Sequence, residues 1–403
     1  METAKKQNRW IVMLGGFICM FATGMIYTWS VYVNPMVEAL GAQKSDVTLA
    51  FSILTMAVPI VMIFASKVLQ KRGPRVTCLI GVVLLFAGYF VCSRSTTPAM
   101  LYLGFGVLVG SGVGFIYGCP VPTVTSWFPD KKGMVSGILM TAYGVGPILF
   151  STTLSGWISA YGPNRVFLIQ GCMAAVGLLI GIPLIKNAPA GYRPEGWTPA
   201  AAAAASDIHQ FRTKEMLATP QFWMLLAMYL FTNCVGLSIT GNGSPISQTM
   251  AGLTALQAAS IVSIVSVCNS CGRFIAGAAS DRIGSRNVIS IIFCICVVFC
   301  FTFSFADTFL TVTIWLSVLG ACFGGMMASY PPMIMDTFGT KYYSTNYAFI
   351  FLAYGFGGLA SNGIISTSLN ATETYVMAFY IMGGACLVGA VFSRLVKRPA
   401  PRN

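Results

Sequence analysis

Charge is scarce in this 403-residue chain: 9% of its residues are Asp, Glu, Lys or Arg, where an ordinary soluble domain carries about a quarter. With 56% of residues hydrophobic, a water-soluble globule is excluded and a membrane-embedded chain is left. Acids are scarcer still. All eleven, Glu2, Glu38, Asp46, Asp130, Glu195, Asp207, Glu215, Asp281, Asp307, Asp336 and Glu373, fall in predicted loops, tails or helix ends. No carboxylate is therefore expected at membrane depth. The one histidine, His209, lies in the central loop, and the thirteen cysteines form no CxxC pair and no metal-ligand spacing. No metal or cofactor is expected, and the cysteines read as small buried hydrophobes. Without a metal cluster or a nucleophile–base pair, an enzyme is set aside.

Long apolar runs are abundant. Twelve can be placed, at about 11–33, 47–65, 77–92, 99–121, 134–158, 166–185, 221–241, 254–280, 288–306, 309–333, 346–368 and 375–393, most of them long enough to cross a hydrocarbon core. The chain is thus expected to be an all-α membrane protein of twelve transmembrane helices. The first run follows Lys5, Lys6 and Arg9, but it is too long for a signal-peptide core and no small-residue cleavage site interrupts it, so it reads as a retained helix. Short cytoplasmic loops accumulate Lys and Arg. Both termini on the cytoplasmic side would put 20 of the 24 basic residues there, leaving Lys44, Arg94 and Arg165 outside and Arg273 within a helix. The net charge of +13 then has a topological origin, with anionic lipid head groups as partners and no need for nucleic acid.

Arg273 is the residue that points to function. It sits in the apolar stretch 261–280, eight residues before Asp281, hence roughly 12 Å further along the helix. A charge left unpaired at that depth is expensive, so the missing counter-ion is expected to be the substrate. The alternative is an arginine bonded to backbone carbonyls or reaching the interface. A guanidinium offers a planar fork that fits a carboxylate, and one fixed cation suits one carboxylate. Around it, Tyr27, Tyr117, Tyr143, Tyr330 and Tyr354 fall at predicted mid-membrane positions, with Asn233 on the seventh helix. Asn269 lies one turn before Arg273 on the same helix face.

Landmarks recur 211 residues apart. Ala142-Tyr143-Gly144-Val145-Gly146 becomes Ala353-Tyr354-Gly355-Phe356-Gly357, Gly114 becomes Gly325, Pro120 becomes Pro331, and Lys71-Arg72-Gly73-Pro74-Arg75 becomes Arg282-Ile283-Gly284-Ser285-Arg286. Two pseudo-symmetric six-helix bundles are expected, residues 1–186 and 220–403. A cytoplasmic linker, 187–219, should join them, with an alanine run at 200–205 and a short surface helix after Asp207.

The second copy, Gly277-Ala-Ala-Ser-Asp281-Arg282-Ile-Gly284-Ser-Arg286, resembles the GxxxDRxGRR loop signature of the major facilitator superfamily. That resemblance implies a midplane site exposed alternately by rocking of the two halves. It also implies a cytoplasmic charge clasp formed by Lys71, Arg72, Arg75, Asp281, Arg282 and Arg286. Within the superfamily the chain is similar to the monocarboxylate transporters and, more closely, to the bacterial oxalate:formate antiporter branch. The similarity rests on Asn8-Arg9-Trp10, Tyr27-Thr-Trp29, Asn34-Pro35, Gly112-Val-Gly114-Phe-Ile-Tyr117-Gly118, Trp127-Phe-Pro-Asp-Lys-Lys-Gly133, Pro220-Gln-Phe-Trp223 and Cys271-Gly-Arg273. In that branch the matching arginine works with a lysine on the eleventh helix, and this chain has Tyr354 at the corresponding position. In animal monocarboxylate transporters an aspartate one turn before the arginine serves proton coupling, and here Asn269 stands there.

A monocarboxylic acid is almost fully ionised at pH 7, and its uptake opposes an interior-negative potential by about 2.3 kcal/mol per 100 mV. Symport with a proton removes that term, as does anion exchange. The reading is a monomeric, proton-coupled transporter of small monocarboxylates such as L-lactate or pyruvate in a bacterial inner membrane, with Arg273 holding the carboxylate and Tyr117, Asn269 and Tyr330 shaping the pocket. An exchanger for formate- or oxalate-type acids is the second reading. A membrane sensor is a third, although no appended signalling domain is visible.

Overall fold

A bilayer offers backbone amides no partner, so an apolar chain satisfies them within helices. The computed structural model describes residues 8–189, 192, 194 and 209–399, and among the described residues there is no strand. Ten helices are long and apolar enough to cross a membrane. One of them, Asp46–Ser93, carries two of the expected runs, and a shorter apolar helix of 17 residues, Ser285–Phe301, carries the ninth. All twelve runs are therefore helical. In chain order they are α1 (Arg9–Leu40), α2 (44–72), α3 (74–93), α4 (Pro98–Thr125), α5 (Lys132–Tyr161), α6 (Pro163–Leu184), α7 (Pro220–Ala251), α8 (Ala255–Ile283), α9 (Ser285–Phe301), α10 (Phe309–Phe338), α11 (Tyr343–Thr372) and α12 (Val376–Leu395).

Local chemistry sets their ends. Asn8 and Thr219 accept hydrogen bonds from Trp10 N and Phe222 N at the starts of α1 and α7, and Thr254 and Gln257 form a reciprocal capping box at the start of α8. The break between α2 and α3 is Gly73, at φ 79° and ψ 178°, a conformation that side chains forbid. Its repeat partner Gly284 separates α8 from α9 at φ 84°.

The 211-residue offset is written into the backbone as well. Gly41 and Gly252 close α1 and α7 at φ 58° and 62°, and Gly162 and Glu373 follow α5 and α11 at φ 79° and 57°. Glu373 is the one non-glycine residue with positive φ among the described residues, and it occupies the place that Gly162 takes in the first copy. Arg75 donates to the carbonyls of Pro183 and Ile185 at the end of α6, while Arg286, 211 residues on, donates to those of Ser393 and Arg394 at the end of α12. Equivalent arginines thus fasten equivalent helix ends.

Arg9 and Asp130 pair at 3.0 Å, Asp281 neighbours Asp130 and Lys131, and Asp336 neighbours Lys132 and Arg398. These contacts gather the first and last described helices at one end of the bundle, the chain-end side. Large apolar side chains such as Phe274, Ile275 and Val83 point outward, as lipid contact requires. Of the expected linker, the alanine run 200–205 lies outside the described residues. A short helix, Thr213–Leu217, is present, and the segment before it docks through Phe211 N to Phe338 O at 3.0 Å and Asn346 Nδ2 to Phe211 O at 3.0 Å.

Candidate functional site

Arg273 projects from α8 into the seam between the first six helices and the last six. It is 6% exposed, and the ion pairs among the described residues, Arg9 with Asp130 and His209 with Glu215, leave it out. Its Nε donates to Asn269 Oδ1 at 3.1 Å, and its Nη1 donates to the Met140 carbonyl of α5 at 2.6 Å. Asn269 in turn donates from Nδ2 to the Gly320 carbonyl of α10 at 2.9 Å. Two neutral acceptors therefore hold the guanidinium in place without cancelling its charge. A guanidinium has five N–H donors, so three, all on Nη1 and Nη2, are left for another ligand.

Room for this arrangement comes from glycine. A Cβ on Gly144 would lie 3.2 Å from Arg273 Cζ, and one on Gly324 would lie 2.0 Å from the Asn269 carbonyl oxygen and 3.1 Å from Arg273 Cγ. The arginine thus lies in a slot between α5 and α10 that larger residues would close.

Arg273 borders a narrow cleft between the two halves, closed down in this state to little more than the space of a water molecule. Tyr27, Tyr117, Tyr143 and Tyr354 line it, with Ile26, Leu54, Val58, Phe323, Met327 and Phe351. The hydroxyls of Tyr27 and Tyr354 meet across the seam at 2.9 Å, and the Tyr143 ring stands edge-on to those of Tyr27 and Tyr117 at 5.3 and 5.0 Å. One cation, four phenols and an apolar remainder would hold a single carboxylate on a small body. No Asp, Glu or His lines the cleft, and no three-residue metal-binding group is present among the described residues.

Three expected pocket residues stand elsewhere. Asn269 acts on the arginine and is absent from the lining. Tyr330 donates to the Leu225 carbonyl at 3.3 Å, its ring lies tilted 4.3 Å from that of Tyr229, and it is absent from the cleft lining. Asn233 is buried beside Gly357, donating to the Tyr229 carbonyl at 2.6 Å. The apolar lining went unpredicted, although Phe351 lies three residues before Tyr354 and so shares its helix face. The Met140 carbonyl carried no sequence signal at all.

Of the six expected clasp residues, Asp281 is the one that reaches between the halves. Its carboxylate accepts from Gly133 N at 2.7 Å and Met134 N at 2.6 Å, at the N-terminus of α5, so its partners are backbone amides and a helix dipole. Arg75 and Arg286 are used within their own halves, and Lys71, Arg72 and Arg282 are exposed. Further bridges join Ser66 and Gln70 of α2 to Thr345 of α11 at 2.8 and 3.0 Å, and Ser136 of α5 to the Ala328 carbonyl of α10 at 3.1 Å. The chain-end side of the seam is thereby closed.

Comparison with known proteins places this geometry in context. The family model described as Major Facilitator Superfamily matches residues 12–362. The chain is 30% identical to the oxalate:formate antiporter of Oxalobacter formigenes over 362 residues, 89% of this chain and 84% of that protein. It is 29% identical to the uncharacterized MFS-type transporter YhjX of Escherichia coli (strain K12), over 88% of this chain and 87% of the relative. Monocarboxylate transporter 12-B of Danio rerio is 24% identical, over 82% and 74%. Among solved structures, the Escherichia coli fucose:proton symporter FucP superposes with a TM-score of 0.72 at 15% identity, covering 97% of this chain and 100% of that one, a likeness of fold.

Proposed function

We propose that this chain, which belongs to the Major Facilitator Superfamily of membrane transporters, carries small monocarboxylates such as L-lactate or pyruvate together with a proton. The observation that carries the reading is Arg273: buried, anchored by two neutral acceptors, and left with three donors beside a cleft that has no acid of its own. An incoming carboxylate would neutralise it. The four tyrosine hydroxyls suit a 2-hydroxy or 2-keto oxygen, and the apolar lining suits a methyl group. The proton then travels with the acid, since no Asp, Glu or His lines the cleft.

In this reading residues 1–186 and 220–403 rock against one another, joined by 187–219, in a bacterial inner membrane with both termini in the cytoplasm, as a monomer. Asp281, bonded to the amides at the start of α5, would latch the cytoplasmic side. Identity with an oxalate:formate antiporter favours a second reading, one-for-one exchange of formate- or oxalate-type acids. Tyr354 weighs against a dicarboxylate, because it puts a phenol where the resemblance implies a second cation.

Labelled L-lactate uptake into proteoliposomes, wild type beside Arg273→Ala, tests both. Accumulation driven by an inward proton gradient and lost in the variant is the expected result. Uptake that ignores the gradient and requires internal anion would replace symport with exchange, and uptake that survives in Arg273→Ala would remove the arginine from the site.

A further inference from the structure

Directly beyond the cleft, toward the chain ends, lies a group of hydroxyls with no adequate acceptor. Phe351 borders the cleft, and its ring packs 5.0 Å from Tyr117, 5.9 Å from Tyr229 and 5.5 Å from Tyr347. Tyr347 and Tyr343 continue along the same face of α11 at one-turn spacing, their rings stacked 5.4 Å apart. Each is 1% exposed, and neither hydroxyl makes a hydrogen bond. The Tyr347 oxygen neighbours those of Tyr117 and Tyr229 without reaching ordinary hydrogen-bond geometry. Tyr117 and Tyr229 give their protons to thioether sulfurs, Met140 Sδ at 3.3 Å and Met327 Sδ at 2.9 Å, which are weak acceptors. Four O–H donors thus share one neighbourhood in which, among the described residues, the only acceptors nearby are thioethers and one another's neutral phenol oxygens.

Phenylalanine would fill these positions without burying a polar group, whereas a buried unpaired hydroxyl is destabilising. The arrangement makes sense when an acceptor arrives in another state of the protein. That acceptor must come by way of the cleft and bring several lone pairs, which describes a carboxylate, whose O–H···O⁻ bonds are short and strong. The bridge from Ser66 to Thr345 closes this region on its far side, on the same helix as Tyr343 and Tyr347. Rocking of the halves would break it and open the hydroxyls to the chain-end face.

We propose that Tyr229 and Tyr347, continued by Tyr343 and reached past Tyr117 of the cleft, form a second carboxylate subsite that takes the acid from Arg273 and passes it to the chain-end side. Tyr347 is seven residues from Tyr354, about 10 Å along α11. Phe351 separates the two sites. The subsite is neutral, so it holds an anion less tightly than Arg273 does and favours its departure. The inference rests on the monocarboxylate reading and adds a location and a direction to it.

The test compares wild type, Tyr347→Phe and Tyr229→Phe in proteoliposomes of uniform orientation, with the KM for L-lactate measured separately from each face. Loss of one hydroxyl from the subsite should raise KM at the chain-end face about tenfold and leave KM at the opposite face within about twofold. A KM unchanged at both faces, or raised equally at both, in the two variants would overturn the subsite while the Arg273 reading stands. A wild type that moves neither L-lactate, pyruvate nor formate would overturn the Arg273 reading, and the subsite with it.

Discussion

Arg273→Lys keeps the positive charge and changes only its shape, so it isolates what the guanidinium contributes. In the native site Nε serves Asn269 at 3.1 Å and Nη1 serves the Met140 carbonyl at 2.6 Å, and three N–H groups remain for a substrate. A lysine ammonium has three N–H groups altogether, on one rotatable nitrogen. If it holds either native acceptor it cannot also meet both oxygens of a carboxylate at good angles. Losing one charge-assisted hydrogen bond is worth ~1.5–3 kcal/mol, a rise in KM of roughly tenfold to a hundredfold. Asn269 Oδ1 would also lose its donor, which costs about 1–3 kcal/mol of stability where water cannot reach it. Initial rates of L-lactate uptake across a concentration series, paired with a thermal melt of the purified variant, measure the two effects separately. A KM within about twofold of wild type would refute the fork geometry, because a point charge would then serve as well.

Two further substitutions probe the cleft and its closure. Tyr354→Lys replaces a hydroxyl that bonds Tyr27 across the seam with a second cation, so oxalate should inhibit L-lactate uptake at markedly lower concentration than in wild type; unchanged oxalate potency would detach position 354 from selectivity. Asp281→Asn removes the charge and one of the two acceptor oxygens at the start of α5, so that one amide bond is lost and the other weakened, together ~2 kcal/mol, favouring separation of the halves by roughly 30-fold. A cysteine introduced at Ala65, in a background lacking the native cysteines, should then react faster with a membrane-impermeant maleimide added from the chain-end face, and an unchanged rate would mean that Asp281 does not hold that side shut.

Much of the fold was legible because the bilayer limits the options to helices, and helices leave apolar runs. The twelfth-part division survived even where two runs share one continuous helical assignment, since Gly73 marks the break in sequence and in backbone alike. Arg273 was legible for a related reason: a charge inside an apolar run has no cheap explanation. The tyrosines were harder to sort. Tyr117 and Tyr330 both lie at membrane depth, yet one borders the cleft and the other bonds the Leu225 carbonyl, a difference of helix rotation that a single run does not encode. One-turn spacing ties Asn269 to Arg273, as their hydrogen bond shows, but spacing along a helix specifies a neighbour and says nothing of which one lines the cavity, where Asn269 is absent.

By itself, then, the sequence determined the helices, the 211-residue duplication and the isolated cation, all properties of local pattern that lipid and backbone sterics enforce. Tertiary structure decided what the cation touches and what closes around it. Met140 comes to Arg273 from 133 residues earlier, and Asp281 finds backbone amides where basic side chains were expected. Such partners have no sequence signature, for a peptide carbonyl or amide is the same at every residue and only the packing of one half on the other selects among them.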